Sequence, residues 1–226
     1  MKKNLSLFAV VAACSLLLVF CLVFILSSAG ENVNAVVLPS DISESFAKNE
    51  ITYLVTAGVL ETQKSGEDTL FLPQNEVTRE YFVCALVRLL DIDTDKYKSY
   101  NPEIEDEEDI SEENLPLVRA ALAGGIIKPS VLDGKKYFLP NEPITREEAS
   151  HIIGALSSAV IATTKPESFS DLDSVNEEYI ENLKKLIDLD VLVGYPDGTM
   201  RPKNILTREE FALMLYRMVQ NKSFNT

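Results

Sequence analysis

The sequence predicts an all-α protein made of three helix-loop-helix units preceded by a hydrophobic N-terminal helix, and three observations carry that reading. Thr-Arg-Glu occurs three times, at Thr78, Thr145 and Thr207, at intervals of 67 and 62 residues, each with a proline five residues earlier (Pro73, Pro140, Pro202). Each threonine stands where a helix N-cap belongs; in the third copy Glu210 completes a capping box, and Phe211, Leu215 and Met218 keep helical spacing. A second helical pattern runs ahead of each motif, bracketed by Asp106 and Gly125 in one copy and by Asp171 and Asp190 in the next, 19 residues apart both times.

The elements follow in order. Lys2 and Lys3 precede an apolar run from Leu7 to Leu26 interrupted only by Cys14, Ser15 and Cys21. About 20 apolar residues suffice to span a bilayer, while Ser27-Ser28-Ala29 supplies the small residues of a signal cleavage site. Residues 1–29 are therefore a signal peptide or a membrane anchor, with the small residues favouring a cut after Ala29, and either way the remainder is exported. Val11 to Cys14 also matches a lipoprotein box, but the residues after Cys14 stay apolar. Residues 30–37 read as a tether. Residues 38–98, 99–162 and 163–226 hold the three copies.

In copy one, Ile42, Phe46, Ile51, Leu54 and Val55 give a helical pattern stopping at Gly58, and Thr69 to Leu72 has the makings of a short strand before the helix from Thr78 to about Leu90. Copy two repeats the scheme with Leu115, Val118, Ala121 and Leu122, then a helix from Thr145 to about Leu156. In copy three, Pro196-Asp197-Gly198 must reverse the chain, because proline presets the first central φ and glycine takes a positive one. The Thr207 helix follows.

Composition narrows function. A chain of 226 residues that is 46% hydrophobic can bury a sizeable core. Removing residues 1–29 takes away two lysines and no acid, leaving 19 basic against 35 acidic side chains, formally −16. Such a surface repels nucleic acid, so an anionic ligand must be captured by placed cations and backbone donors. Asp91, Asp93 and Asp95 open like a calcium loop, but Lys96 stands where glycine is needed and Pro102 where the bidentate glutamate belongs. His151 has no second histidine or cysteine nearby, and Cys84 sits among apolar neighbours. No metal or cofactor site and no catalytic constellation is predicted.

The residues that stand out are Arg79, Arg146 and Arg208, each directly after an N-cap threonine. A cation there opposes the helix dipole at a cost of about 0.3–1 kcal/mol, so three such placements imply a use. One use is internal ion pairing that holds the copies together. The other is capture of a ligand carboxylate by the guanidinium and the free N–H groups of the helix start.

Phe169-Ser170-Asp171, the turn Gly194 to Thr199, and Leu206-Thr207-Arg208-Glu209 resemble the S-layer homology domain, which usually comes in triplets. The resemblance covers roughly residues 38–220. Copy two has Ile126-Ile127-Lys128-Pro129 in place of the Gly-Tyr turn and keeps Asp133-Gly134; copy one has Gly66-Glu67-Asp68-Thr69 and no Phe-x-Asp start. The family's first-helix tryptophan is absent, and Phe46 or Tyr179 takes its place.

The resemblance implies a pseudo-threefold spindle around a central helical bundle, with grooves that bind secondary cell-wall polysaccharide. The carboxylate of a pyruvylated sugar would meet Arg79, Arg146 or Arg208. Asp106 and Asp171 would face the grooves from the following unit, with Tyr195 and Asp197 at the turn of copy three. The expected role is non-catalytic attachment to the peptidoglycan-linked envelope at the bacterial cell surface. The alternative is a structural module that has lost sugar binding and is held to the membrane by its N-terminal segment.

Overall fold

The three threonines start helices as their sequence context demands. Thr78, Thr145 and Thr207 are extended, and their hydroxyls accept the N–H groups of Tyr81, Glu148 and Glu210 at 3.2, 3.3 and 3.4 Å. The Glu210 carboxylate accepts the Thr207 N–H in return at 3.1 Å, closing the expected capping box. The computed structural model describes residues 36–159 and 169–224, so the N-terminal hydrophobic segment and its signal or anchor reading lie outside the described residues. None of the described helices is long and apolar enough to cross a membrane.

Among the described residues six α-helices alternate as first and second helices of the units: α1 Lys48–Thr56 and α2 Arg79–Leu89, α3 Leu115–Ala123 and α4 Arg146–Leu156, α5 Ile180–Asp188 and α6 Arg208–Gln220. Gly58, Gly125 and Asp190 adopt positive φ (72°, 69° and 56°) just past the first helices, the left-handed stop that glycine and aspartate tolerate. The first helices begin later than the apolar pattern predicts. In copies two and three, 3-10 turns at Glu107–Asp109 and Leu172–Ser174 come first.

The architecture is mostly helical rather than purely so. Two antiparallel hairpins interrupt it: β1 Gln63–Ser65 with β2 Asp68–Leu70, and β3 Ser130–Leu132 with β4 Lys135–Tyr137. Their two-residue turns use Gly66 (φ 62°) and the Asp133-Gly134 pair (φ 50° and 76°), whose backbone matches strand twist. Copy three makes the Pro-Asp-Gly reversal instead. There Tyr195 N–H donates to Thr199 O at 2.8 Å, Gly198 N–H donates to Tyr195 O at 3.0 Å, and Gly198 has φ 78°.

One aspartate per copy anchors the loop into the second helix. Asp41 accepts the N–H groups of Phe71 and Leu72, Asp106 those of Phe138 and Leu139, and Asp171 those of Met200 and Arg201, all at 2.7–2.8 Å. Leu72, Leu139 and Arg201 have φ of 59°, 60° and 51°, which costs a non-glycine residue about 1–3 kcal/mol. Each carboxylate clamps two consecutive amides and so holds that conformation just before the motif proline. Copy one, which lacks Phe-x-Asp in sequence, still makes this clamp through Asp41.

The units interlock through their neighbours. Each second helix packs on the first helix of the next copy, α2 on α3, α4 on α5 and α6 back on α1. Behind the helix starts, Val77 N–H donates to Leu206 O, Leu206 N–H to Ile144 O, and Ile144 N–H to Val77 O, at 2.9, 3.0 and 2.9 Å. Val77, Ile144 and Leu206 are fully buried, as are Phe82 and Phe211, whose rings lie 5.0 Å apart. Gly154 lets α4 approach α5 closely, since a Cβ there would lie 2.5 Å from the Asn182 carbonyl oxygen.

Replacing Asp106 with alanine removes two charge-assisted hydrogen bonds and frees a strained loop. We expect a loss of about 3 kcal/mol, read as a lower urea midpoint, with native helical content retained below the transition.

Candidate functional site

Each motif arginine reaches out of its own copy into the next one, and there it forms the floor of a groove. The groove walls are the loop before the second helix of that next copy, that helix's first turns, and the start of the first helix beyond. The guanidiniums occupy equivalent positions but have different partners.

Arg79 is fully engaged. Its Nε donates to Phe138 O at 2.8 Å, Nη2 to Lys128 O at 3.5 Å, and Nη1 pairs with Glu148. Its groove, about 410 Å³, also presents His151, Tyr179 and Asn182. The His151 ring lies 4.5 Å from that of Tyr179, with Nδ1 3.3 Å from the Asn182 amide.

Arg146 is similarly matched. Nε donates to Met200 O and Nη2 to Val193 O, both at 3.1 Å, and Nη1 lies 3.3 Å from Glu210. The Tyr195 hydroxyl donates to the same glutamate, and its ring lies between Arg146 and Arg201 at 4.8 and 3.9 Å. This groove, about 350 Å³, is largely apolar, with Val191, Val193, Pro196 and Leu213 on its walls and the exposed Phe46 ring at its edge.

Arg208 differs. Glu148 and Glu210 stand three residues after their threonines, but the residue three after Thr78 is Tyr81. The Arg208 guanidinium therefore lies between two rings, 4.5 Å from Phe71 and 4.1 Å from Tyr81, and among the described residues it makes no ion pair. Nη2 donates to Glu61 O at 2.7 Å, while Nε is buried with no hydrogen-bond partner. Arg208 is 6% exposed, and burial lowers its pKa from the ordinary arginine value. It floors a groove of about 320 Å³ lined by neutral donors and acceptors from Gln63, Ser111, Asn114 and Asn141 and by three acids, Glu61, Glu80 and Glu113.

The helix starts and the expected aspartates are placed as follows. The N–H groups at the helix starts are not free: those of Arg79 and Glu80 donate to Glu142 O and Pro140 O, those of Arg146 and Glu147 to Asn204 O and Pro202 O, and those of Arg208 and Glu209 to Asn75 O and Pro73 O. The neighbouring copy has already taken the donors that a ligand would need. Asp106 and Asp171 do not face the grooves, since both oxygens of each hold backbone amides of their own copy. Asp197 is turned to its own loop, accepting from Thr199 and, at 2.8 Å, from Arg201, and these bonds lower its pKa to about 2.

The glutamate of each motif has a role the sequence reading missed. Glu80 accepts the Ser111 N–H and the Asn114 amide; Glu147 accepts the Asn176 N–H and pairs with Lys203 at 2.6 Å; Glu209 accepts the Ser45 hydroxyl at 2.6 Å and the Gln74 amide. Each ties its helix to the approach to the next first helix. The signal was present in its recurrence across all three copies.

The sequence model of the S-layer homology domain matches residues 40–80, 130–150 and 168–212. The chain belongs to the S-layer homology family. It is similar to the exoglucanase XynX of Acetivibrio thermocellus, 30% identical over 190 residues, which is 81% of this chain and 16% of that protein. It is also 29% identical over 187 residues to an amylopullulanase of Thermoanaerobacterium thermosulfurigenes, covering 80% of this chain and 9% of that one. The chain thus spans a small part of these relatives. S-layer homology domains are non-catalytic anchors of surface proteins to the cell wall, and such sequence makes up most of the chain outside its N-terminal segment.

Two groove tyrosines report on this packing. Burial is the main cause that pushes both Tyr81 and Tyr195 up to about 12, with Glu210 adding to the shift of Tyr195. A phenol whose folded pKa is raised contributes stability that is complete below its unfolded pKa of about 10 and is lost as pH rises through the folded value. We expect stability to fall between about pH 10 and 12, followed by denaturation and phenolate absorbance, and Tyr195→Phe to flatten that decline.

Proposed function

We propose that the chain is a non-catalytic anchor that binds secondary cell-wall polysaccharide in grooves between its repeats and so holds a protein at the bacterial cell surface. The recognised group is the carboxylate of a pyruvylated sugar, met by a motif arginine. The observation that carries this reading is the Arg208 groove, a cleft floored by a guanidinium that makes no ion pair among the described residues, with hydroxyl and amide groups on its walls beside the carboxylates of Glu61, Glu80 and Glu113. A sugar bearing one carboxylate supplies the counter-charge that this guanidinium lacks among the described residues.

The accompanying architecture is a pseudo-threefold spindle of repeats 38–98, 99–162 and 163–226. The cyclic packing of second helices on first helices and the ring of Val77, Ile144 and Leu206 hydrogen bonds support it. Tyr195 belongs to the Arg146 groove wall, while Asp106, Asp171 and Asp197 act by shaping the loops around the grooves. Residues 1–29 direct export as a signal or anchor, and the partner is the peptidoglycan-linked envelope.

A second reading has its own support. Arg79 and Arg146 are neutralised by Glu148 and Glu210, which suits a membrane-held structural module that no longer binds sugar. Sedimentation with purified cell-wall sacculi separates the two. We expect retention by native sacculi, loss when mild acid removes the pyruvate, and loss for Arg208→Ala with circular dichroism unchanged. Equal retention before and after acid would reject the carboxylate mechanism.

A further inference from the structure

We infer that the three grooves are not equivalent binding sites and that only the one floored by Arg208 accepts a carboxylated sugar, with the residue three after each motif threonine deciding which groove is open. This rests on the carbohydrate-binding reading above and specifies the site.

The argument is one of charge already spent. A guanidinium has five N–H donors and one positive charge, and its attraction for a ligand carboxylate depends on whether a protein carboxylate occupies the same fork. In two grooves one does. Glu148 is on Arg79 and Glu210 is on Arg146, each from the copy into which the arginine reaches. A ligand there must displace a partly buried ion pair and leave a glutamate without its partner, which costs more than the new contact returns. In the Arg146 groove Glu210 is held further by the Tyr195 hydroxyl and the Thr207 N–H, so it cannot swing away cheaply.

Tyr81 removes that competitor from the Arg208 groove. Its ring faces the guanidinium from 4.1 Å, a contact that stabilises the cation without neutralising it. Among the described residues no carboxylate pairs with Arg208, and three of the nearby acids hold other partners, Asp41 the Phe71 and Leu72 amides among them. Glu61 pairs with Arg88 at 2.5 Å, and Glu80 accepts from Ser111 and Asn114; Glu113 is exposed at the groove edge. The walls complete the contrast, polar here, with hydroxyl and amide groups beside Glu61, Glu80 and Glu113, against the apolar walls of the Arg146 groove. One protein thus carries one receptive groove and two that are closed by their own glutamates.

The test uses the full exported chain and a synthetic methyl hexoside carrying a pyruvate ketal, titrated by calorimetry. We expect one binding site per chain, and Arg208→Met to weaken binding by about tenfold or more, the range for losing a charge-assisted hydrogen bond. Tyr81→Glu should abolish uptake by supplying the missing competitor. Glu148→Gln keeps the shape of the Arg79 groove while removing its charge, and is expected to raise the stoichiometry to two; because it needs no change at Arg208, it tests the rule even where Tyr81→Glu fails to fold. Two or three sites on the unmodified chain, or binding lost with Arg79→Met and kept with Arg208→Met, overturns the single-groove assignment while leaving polysaccharide binding intact. No uptake of the ketal sugar at all overturns both, whereas uptake of the same sugar without its pyruvate, at equal affinity, overturns the role of the carboxylate.

Discussion

A closed cycle of backbone hydrogen bonds at the starts of the three second helices is the constraint on which the remaining structure depends. A helix exposes unsatisfied N–H groups in its first turn, and a short helix buried at its N-terminus must find acceptors for them. Here the acceptors are the carbonyls of the next copy's proline loop, so that Arg79 and Glu80 use repeat two, Arg146 and Glu147 use repeat three, and Arg208 and Glu209 use repeat one. No copy can satisfy its own helix. The three are therefore stable as a set, and the mutual donation of Val77, Ile144 and Leu206 sits at the centre of that arrangement.

The same constraint explains the strained loops. To bring their carbonyls to a neighbour's helix, the segments at Leu72, Leu139 and Arg201 turn through positive φ immediately before proline. Aspartate clamps repay that cost locally, with two short hydrogen bonds apiece. It also explains why the motif arginines cross into the adjacent copy. With the backbone donors occupied, the side chain leaves the helix tip where its charge is disfavoured and finds the neighbour's carbonyls, rings and glutamates.

Much of this was legible in the sequence, and the parts that were not share a cause. Thr78, Thr145 and Thr207 announced their caps because capping is local chemistry within four residues. Pro196-Asp197-Gly198 announced its turn for the same reason. The helix starts after Asp106 and Asp171 were misplaced because those carboxylates serve amides 29–33 residues away, a use no local pattern reveals. The hairpins at Gln63–Leu70 and Ser130–Tyr137 were only partly foreseen, since three-residue strands are too short to show alternation. Arg79, Arg146 and Arg208 stood out by their recurrence, but identical motifs concealed unequal surroundings.

Thus the sequence alone determined the repeat, its helical units, the acidic surplus and the family, because periodicity, capping and turn chemistry act over a few residues and recur. Tertiary structure decided how each arginine's charge is balanced. That balance depends on a residue from the next copy, Glu148 for Arg79, Glu210 for Arg146 and Tyr81 for Arg208, brought into reach only when the chain closes on itself.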